Sequence, residues 1–443
     1  MKKVFYISTV CILVMSCSKI MVAPEENNGD VVLMFDSIYE VIIHESSVNR
    51  PCEPSISICP DNTDHIVAGS VLNNVYISDD GGKTWISDKM KSAYGVYGDP
   101  VVRYVNGHRI LYTHLSDPAG KPYNSIEFLD RIVVQASDDN GRTWNDGSSP
   151  LADMSKDHDK PWVATRPGTK LVLMSWTEFD KYASEESGDV SKILFSASAD
   201  EGTTWSEAIT ISEFSGDCLD NDKTTEGAYP AIGVDGTYYV VWGYDSKLYL
   251  DISKDSGKIW LDNDKVVADQ IGGWAIDIPG IGRCNGMPSI KCDHSANKYR
   301  GNLYISWSDQ RNGLNDTDVW LISSSDKGLT WTTPVRVNTD GTGKHQFFSA
   351  MDVDQSTGYI YFVFYDRRDY SDNRTDVYLA YSLDGGKTFE NKKISQYSFL
   401  PEPSLFFGDY NDISASNGKI RPIWTHQDNT KLSVRTAIID IKK

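Results

Sequence analysis

An eight-residue pattern, Ser-x-Asp-x-Gly-x-Thr-Trp, occurs six times in this chain with small variations, at intervals of about sixty residues. Self-similarity at such a period indicates an architecture in which one supersecondary unit is repeated. The copies occupy residues 78–85, 137–144, 198–205, 253–260, 324–331 and 382–389, and the last copy ends in phenylalanine instead of tryptophan. The chain is therefore expected to fold as an array of similar units.

Each position of the pattern has a structural role in a tight hairpin. Asp80 and its equivalents are expected to accept hydrogen bonds from backbone N–H groups, as turn aspartates do. Gly82 and its equivalents can take the positive φ that such a turn requires. Trp85 and its equivalents supply a large apolar surface, which we expect to be largely buried against the next strand. None of these roles needs a substrate, so we interpret the repeated aspartates as structural.

The segments between the copies have the pattern of short β-strands. Residues 171–176, 238–242 and 359–364 are examples, rich in β-branched and aromatic side chains, with Gly, Asp and Asn around them. Alternation of apolar and polar residues over such short segments is typical of strands, and no segment has a helical pattern. An all-β propeller of four-stranded antiparallel blades fits short strands repeated at this spacing.

A second repeat, at the start of each innermost strand, gives the number of blades. A polar residue, usually followed by proline, opens seven such strands, against six copies of the eight-residue pattern. The seven strands begin at Glu53, Asp99, Lys160, Tyr229, Met287, Phe348 and Asp409. The seventh blade lacks an outermost strand, which residues 39–44 can supply by pairing with residues 432–439. We therefore predict a seven-bladed ring closed by an N-terminal strand, with six blades as the alternative.

The eight-residue pattern resembles the Asp-box, or bacterial neuraminidase repeat, of sialidase-like β-propellers. The resemblance covers nearly all of the chain after the N-terminus, and it implies a glycoside hydrolase that acts at the mouth of the central channel. Sialidases of this type carry Arg-Ile-Pro on the first innermost strand, and that arginine binds the sialic acid carboxylate. The equivalent triplet here is Cys52-Glu53-Pro54. Sialidase activity is therefore predicted to be absent or marginal.

The first seventeen residues have the pattern of an export signal, with a charged start, an apolar run and a small residue before Cys17. The end of this segment resembles a bacterial lipobox, which implies lipidation of Cys17; an ordinary signal peptide is the alternative. Residues 18–30 are expected to be a flexible tether and residues 31–443 the propeller. We expect an exported protein, lipid-anchored in the bacterial cell envelope on the periplasmic or cell-surface side of the outer membrane.

The composition limits the partners of the mature chain. A formal net charge of −19 argues against nucleic acid and anionic membranes, so membrane contact is expected only through the lipid anchor. Five cysteines follow the signal, and none is in a Cys-x-x-Cys pair. Export permits disulfides, and we expect Cys218 to pair with Cys284. We predict a monomer that binds a glycan, with no cofactor and no metal.

The candidate site lies on the face of the ring where the innermost strands begin. Carboxylates around one mouth can raise one another's pKa and act as general acid and base. We predict Asp99, Glu226 and Asp159 as catalytic, with Asp99 and Glu226 as the acid/base pair. The predicted substrate-binding residues are Glu53, Lys160, Glu178, Tyr229, Asp309, Arg311, Tyr365, Arg367 and His426.

Some of these residues have a simpler interpretation. Arginines on this face can bind acidic sugars through bidentate contacts, and aromatic rings can stack on sugars. The Asp309–Arg311 motif, however, returns in the next blade as Asp366–Arg368. A local ion pair that braces a loop is therefore the alternative for these residues.

Four long insertions interrupt the repeat on the same face. They span residues 115–131, 177–192, 212–228 and 269–287. Long loops on one face of a rigid scaffold usually carry function, so we expect them to wall a pocket above the strand starts. The sequence thus predicts an exported carbohydrate-active protein, a glycoside hydrolase with carboxylate acid/base catalysis. The alternative is a non-catalytic glycan- or protein-binding surface lipoprotein.

Overall fold

The computed structural model describes residues 33–48, 51–341 and 343–442, and every helix or strand in these ranges is a β-strand. From Phe35 onward the chain forms one compact unit. The predicted signal peptide and tether lie outside the described residues. Within the described ranges, no helix has the length and apolar character that a membrane crossing requires.

The described chain contains 27 strands. In chain order they are β1 (Phe35–Ser46), β2 (Ser55–Ile58), β3 (Ile66–Ser70), β4 (Asn74–Ser78), β5 (Ile86–Lys89), β6 (Val101–Tyr104), β7 (Ile110–Leu115), β8 (Ile132–Ser137), β9 (Asp157–Thr165), β10 (Val172–Phe179), β11 (Ser191–Ser198), β12 (Ile209–Thr210), β13 (Glu226–Ile232), β14 (Tyr238–Tyr244), β15 (Lys247–Ser253), β16 (Lys265–Asp269), β17 (Ser289–Cys292), β18 (Leu303–Asp309), β19 (Asp318–Ser324), β20 (Val335–Arg336), β21 (Gln346–Val353), β22 (Ile360–Asp366), β23 (Asp376–Ser382), β24 (Glu390–Lys393), β25 (Asp412–Ser416), β26 (Lys419–Asp428) and β27 (Lys431–Ile441).

These strands form seven antiparallel blades, as the sequence predicted. Five blades consist of four consecutive strands, namely β2–β5, β9–β12, β13–β16, β17–β20 and β21–β24. The second blade contains β6, β7 and β8, and its fourth position is reduced to one bridge between Val134 and Ser148. Each innermost strand contacts the innermost strand of the next blade, and β25 contacts β2. The blades therefore close into a ring around a central channel.

The N-terminal strand completes the seventh blade, which has the order β1-β27-β26-β25. β1 pairs antiparallel with β27, and Tyr39 lies opposite Ile438. Arg435 of β27 also donates to Glu40 Oε1 of β1 at 2.6 Å. The predicted closure is confirmed, and the six-bladed alternative is wrong.

The repeated hairpins have the structural role that the sequence predicted. Asp80 Oδ1 accepts hydrogen bonds from the backbone N–H groups of Lys83 at 3.0 Å and Thr84 at 2.9 Å. Ser78 Oγ accepts from the N–H of Gly82 at 2.8 Å, and Gly82 has a φ of 92°. All of these contacts lie within one hairpin, so the aspartate stabilises the turn.

The hairpin tryptophans pack against the core and are buried over most of their surface. Trp85 is partly buried and packs at the edge of the core, while its indole N–H donates to Gly82 O at 2.8 Å. The other four hairpin tryptophans are also partly buried, whereas Phe389 is buried. The expectation of largely buried tryptophans is therefore confirmed, since most of the surface of each of these residues is covered by the core.

The innermost strands begin with a left-handed residue. Glu53, Asp99, Lys160 and Phe348 have φ values of 52°, 49°, 49° and 49°, and Gly227 has a φ of 71°. In β9, β13 and β21 this residue lies in a register shift against the neighbouring strand. Such a bulge bends the strand and changes the direction of its side chains.

The position of this bulge shows that the strand start predicted for the fourth blade is wrong. Gly227, not Tyr229, is the structural counterpart of Lys160, because both lie in the register shift. Proline marked the strand starts in the sequence, and Pro230 lies two residues further along than its expected equivalent. Tyr229 is therefore placed deeper in the channel than predicted.

The predicted disulfide between Cys218 and Cys284 is wrong. Both side chains are buried, and both are free thiols, as are the other three cysteines in the described residues. Burial raises the pKa of each of these two thiols, so the less reactive protonated form is favoured.

Candidate functional site

Eight ionisable side chains meet on the face of the ring where the innermost strands begin, which we call the entrance face. The entrance cluster consists of Glu53, Asp99, Asp159, Lys160, Asp220, Glu226, Arg283 and Asp409. Most members belong to strand starts, whereas Asp220 and Arg283 come from the third and fourth insertions. Because the strand starts of five blades converge on the channel, residues that are distant in sequence become neighbours here.

Lys160 lies at the centre of the entrance cluster, with a side chain that is only 3% exposed. Its Nζ lies 3.4 Å from Glu226 Oε1, 3.5 Å from Asp159 Oδ2, 3.6 Å from Asp220 Oδ2 and 3.7 Å from Asp409 Oδ2. Burial opposes the charged form of this ammonium, but the surrounding carboxylates outweigh it and raise the pKa of Lys160 well above its usual value. Lys160 is therefore a fixed cation.

The ammonium group occupies the place that a metal ion would take among carboxylates. In the ranges that the structure describes, no group of His, Cys, Asp and Glu side chains is arranged to hold a metal. The entrance cluster itself offers carboxyl groups, an ammonium and a guanidinium.

Arg283 covers the cluster from the fourth insertion. Its Nε donates to Asp409 Oδ1 at 2.9 Å, its Nη1 donates to Asp220 Oδ2 at 2.5 Å, and its Nη2 also contacts Asp409. The guanidinium carbon lies 5.4 Å from the ring centre of Phe406. The Arg283 side chain is 39% exposed, so it lies between solvent and the buried Lys160.

Glu226 and Asp220 form an asymmetric pair of carboxyl groups. Glu226 is fully buried. In its ionised form, neither of its carboxyl oxygens accepts a hydrogen bond from a described residue. Burial raises the pKa of Glu226 well above its usual value, against the attraction of Lys160. The added proton can be donated to the adjacent Asp220 carboxylate.

Asp220 has the opposite tendency. Burial alone would raise the pKa of Asp220, but Lys160, the hydrogen bond from Glu226 and the charge of Arg283 together lower it. Tyr182, from the second insertion, also donates to Asp220 Oδ2 at 3.2 Å. The pKa of Glu226 is thus raised and that of Asp220 lowered, which is the asymmetry that acid/base catalysis needs.

The pKa values of two further members of the cluster are also raised. Burial raises the pKa of Glu53 to about 8, and the charge of Asp409 adds to the increase. Burial, followed by the influence of Glu53, raises the pKa of Asp99 well above its usual value. Glu53 Oε1 accepts the backbone N–H of Asp409 at 3.2 Å. The cluster therefore carries less negative charge than its composition suggests.

Five predicted site residues lie in the entrance cluster: Asp99, Glu226, Asp159, Glu53 and Lys160. The other three members, Asp220, Arg283 and Asp409, were not predicted as site residues. Two of these lie in insertions, which have no counterpart in the repeat and so no template position to mark them. The third, at the start of β25, was located by the second repeat but not distinguished from the other strand starts.

Tyr229 points away from the entrance cluster. Its hydroxyl accepts a hydrogen bond from Arg103 Nη2 at 3.2 Å, inside the channel. Its ring stacks on Trp162 with the ring centres 4.6 Å apart. Tyr229 therefore belongs to the wall between the cluster and the channel below it.

Asp309 and Arg311 form the local pair that was the alternative interpretation. Arg311 Nη2 donates to Asp309 Oδ2 at 2.6 Å, and the same oxygen accepts from the indole of Trp307 at 2.9 Å. The Arg311 guanidinium carbon lies 4.5 Å from the ring centre of Trp320. These contacts brace the loop after β18, outside the entrance cluster.

The three predicted binding residues of the last two blades are buried. Tyr365 donates its hydroxyl proton within the core, with Thr425 O at 2.6 Å. Arg367 donates to Pro279 O at 2.7 Å, so it supports the fourth insertion from below. Burial lowers the pKa of His426 to about 4, and its ring lies 4.8 Å from that of Phe399. None of these side chains is presented to a sugar in this structure.

Glu178 lies on the second strand of the third blade, away from Lys160. The charged groups that influence it are Lys192, Asp153, Lys156 and Asp180. Burial raises the pKa of Glu178 above its usual value. The structure therefore places Glu178 beside the entrance cluster rather than within it.

The entrance cluster is nearly closed to solvent. Beneath it, Trp162, Tyr229, Met287 and Tyr410 line a cavity of about 20 Å³, which is space for one water molecule. A glycan that is to reach Glu226 must therefore displace Arg283 or the insertion that carries it.

The chain is similar to one repeat family and, at low identity, to several solved structures. The family described as BNR/Asp-box repeat matches residues 76–85, which contain the first copy of the hairpin. Among solved structures, the Hadza microbial sialidase Hz136 is 14% identical, with 84% of this chain and 73% of that chain covered and a TM-score of 0.46. The GH93 α-L-arabinofuranosidase of Fusarium graminearum is 14% identical, with 74% and 92% covered and a TM-score of 0.48.

A protein of unknown function from Dyadobacter fermentans is also 14% identical, with 91% of this chain and 98% of that chain covered and a TM-score of 0.49. A comparison with curated protein sequences finds no match. Identities this low carry no information on activity. The matched repeat, the aspartate-braced hairpins and the closed ring together show that the chain is a seven-bladed β-propeller with Asp-box hairpins.

Proposed function

We propose that this protein is an exported glycoside hydrolase that cleaves a neutral glycan at the entrance cluster. The observation that carries the proposal is the pairing of Glu226, whose pKa is raised by burial, with Asp220, whose pKa is lowered by Lys160 and Arg283. Glycoside hydrolysis uses two carboxyl groups, one to protonate the leaving oxygen and one as base or nucleophile. Glu226 is the proposed acid and Asp220 its ionised partner.

Asp99 fits the role of partner less well than Asp220. The pKa of Asp99 is raised, as is the pKa of Glu226, so burial favours the protonated form of both groups. Two protonated carboxyl groups provide an acid but no base. Asp99 and Glu53 are better suited to hydrogen-bonding sugar hydroxyls as neutral groups, and Lys160 to keeping Asp220 ionised.

The charge balance favours a neutral glycan over an acidic one. Arg283 is already bound by both Asp220 and Asp409, and Lys160 has four carboxyl groups within 3.7 Å. No free cation in the described cluster remains for a uronate or a sialate. Cys52, at the position of the sialidase arginine, is 1% exposed and uncharged in its thiol form, which supports the prediction that sialidase activity is absent.

The test is a screen of the purified protein against neutral and acidic plant and host glycans, with detection of released sugars. Glu226→Gln and Asp220→Asn keep the shape of each side chain, and each should lower kcat by about 100-fold or more. Glu186→Gln, on the exposed part of the second insertion, is the matched control and should retain full activity. Activity that survives both cluster variants, with normal folding, rules out this pair.

A non-catalytic glycan- or protein-binding protein is the second candidate. The near-complete burial of Lys160 and Glu226 supports it, because a closed cluster is also what a structural ion network looks like. The same screen separates the two: binding to a glycan without release of any sugar supports the second candidate.

Export and lipid anchoring remain part of the proposal, and they rest on the first seventeen residues of the sequence. In a bacterial host, the full-length protein should partition into the detergent phase and incorporate labelled fatty acid. Cys17→Ser should abolish both. Incorporation that persists in this variant would refute lipidation at Cys17.

A further inference from the structure

The central channel contains a second cavity, which opens on the opposite, Asp-box face of the ring. Its volume is about 660 Å³, and the innermost strands of all seven blades line it. This volume lies within the range of roughly 300–1,000 Å³ that is typical of small-molecule sites. The stacked rings of Trp162 and Tyr229, with Tyr410 beside them at 5.2 Å from Trp162, separate this cavity from the entrance cluster.

The deep end of the cavity carries two pairs of opposite charges. Arg103 Nη1 donates to Asp412 Oδ2 at 2.7 Å, so this pair is mutually satisfied. Lys291 Nζ lies 3.4 Å from Asp352 Oδ1, and both of these side chains are 19% exposed. Each cation is matched by one carboxylate, so the floor of the cavity has no net charge to attract an ion.

Hydrogen-bonding capacity remains unused at this floor. Among the described residues, Lys291 Nζ donates no hydrogen bond and lies 5.3 Å from the ring centre of Tyr229. The Tyr229 hydroxyl accepts from Arg103, but its own proton has no acceptor among the described residues. An ammonium and a hydroxyl with free protons thus face an open, polar space beside the carboxylate of Asp352.

We propose that this cavity binds the end of a neutral, polyhydroxylated chain, that is, an oligosaccharide. A sugar hydroxyl both donates and accepts, so it can accept from Lys291 while it donates to Asp352. An anionic ligand gains little here, because both cations already have a carboxylate partner. This site is independent of the proposed catalysis: it would hold a glycan on the Asp-box face even if the entrance cluster has no activity.

Isothermal titration calorimetry of the full mature chain tests the site, with maltotriose, xylotriose and cellotriose as neutral probes and trigalacturonate as the acidic one. At least one neutral trisaccharide should bind with a Kd of about 1 mM or tighter. Lys291→Met keeps the length of the side chain and removes its donors, and it should weaken binding at least 10-fold. Lys327→Met is the control on the same face, since Lys327 is 61% exposed and pairs with Asp235.

Three results would overturn the proposal. The first is the absence of binding by any neutral trisaccharide, and the second is tighter binding of trigalacturonate. The third is binding that Glu226→Gln removes and Lys291→Met leaves intact, because that binding belongs to the entrance cluster. If Lys291→Met does not fold, Asp352→Asn takes its place with the same expected loss.

Discussion

At the scale of single residues, Lys160 has the largest electrostatic role in the entrance cluster. Its side chain is almost fully buried, and four carboxyl groups lie within 3.7 Å of its ammonium nitrogen. Removing one partner of a buried ionic network costs more than the network contributes, because the remaining charges stay buried without compensation. Of the residues in the cluster, Lys160 is therefore the one whose substitution should lower the free energy of unfolding most.

Lys160→Met should lower the free energy of unfolding by about 3–5 kcal/mol at pH 7. The loss should be smaller at pH 5, because protonation of the carboxyl groups removes the charges that lack a partner. Urea denaturation at the two pH values measures both effects. Lys170→Met, at a side chain that is 71% exposed, should change stability by no more than about 0.5 kcal/mol. Equal losses in the two variants would contradict this role of Lys160.

The raised pKa of Glu53 predicts a pH dependence of stability. Its pKa rises from an ordinary value of 4.5 to about 8 in the folded protein. The folded state therefore binds this proton more tightly than the unfolded state, and stability falls as the pH rises from about 4.5 to about 8. Glu53→Gln removes this dependence. As the pH rises through this interval, the melting temperature of the wild type should therefore fall by several degrees relative to that of the variant. Parallel curves would refute the assignment.

Five members of the entrance cluster could be predicted from the sequence, because they occupy equivalent positions of a repeat. A repeat brings equivalent residues to the same end of each blade, so Asp99 and Lys160 had to share a face. Asp220 and Arg283 could not be predicted, since their insertions have no equivalents in other blades. Their positions depend on how each loop folds over the mouth, and loop length alone does not determine that.

At the scale of elements, the start of each innermost strand explains the one error of alignment. Five blades share a left-handed residue at this position, which lies in a register shift in β9, β13 and β21, and proline follows it only in some of them. In the fourth blade this residue is Gly227, which tolerates a φ of 71° without strain. Pro230 lies further along the strand, so the strand start was predicted two residues too late. Tyr229 was therefore assigned to the entrance cluster, whereas it belongs to the wall below it.

The Asp-box hairpin is the second element whose role can be tested. Asp80→Ala removes the acceptor for the N–H groups of Lys83 and Thr84 and for the Thr84 hydroxyl. We expect a loss of about 1–3 kcal/mol in unfolding free energy, since these groups lose their shared acceptor. Any activity per folded molecule should be unchanged. Asp88→Ala, an exposed aspartate on the next strand, is the control and should have little effect on either quantity.

At the scale of the whole molecule, ring closure depends on β1. Ile43 of this strand is 7% exposed and packs in the core, whereas its neighbour Ile42 is 53% exposed. The two side chains point to opposite faces of the same strand. Both the strand and its partner β27 were predictable, because an incomplete seventh blade leaves an unpaired edge that an N-terminal strand can cover.

Ile43→Asp should destabilise the ring by about 3 kcal/mol or more, because it places a carboxylate in an apolar core. Ile42→Asp makes the same change on the solvent-facing side and should cost little. Thermal denaturation and size-exclusion chromatography compare the two, and exposure of the β27 edge predicts aggregation in the first variant. Similar melting temperatures for both variants would mean that β1 does not hold the ring closed.

The pairing of β1 with β27 also has a consequence for the order of events during synthesis. Glu40 and Arg435, which form a hydrogen bond across these strands, are 395 residues apart in the chain. The ribosome makes β1 before the other strands and β27 after them. β1 therefore cannot pair with β27 until all the strands between them have been synthesised. Six blades can assemble from neighbouring segments as they appear, whereas the seventh is completed only after β27 has been synthesised. A translation product that is truncated before β27 therefore contains an open ring.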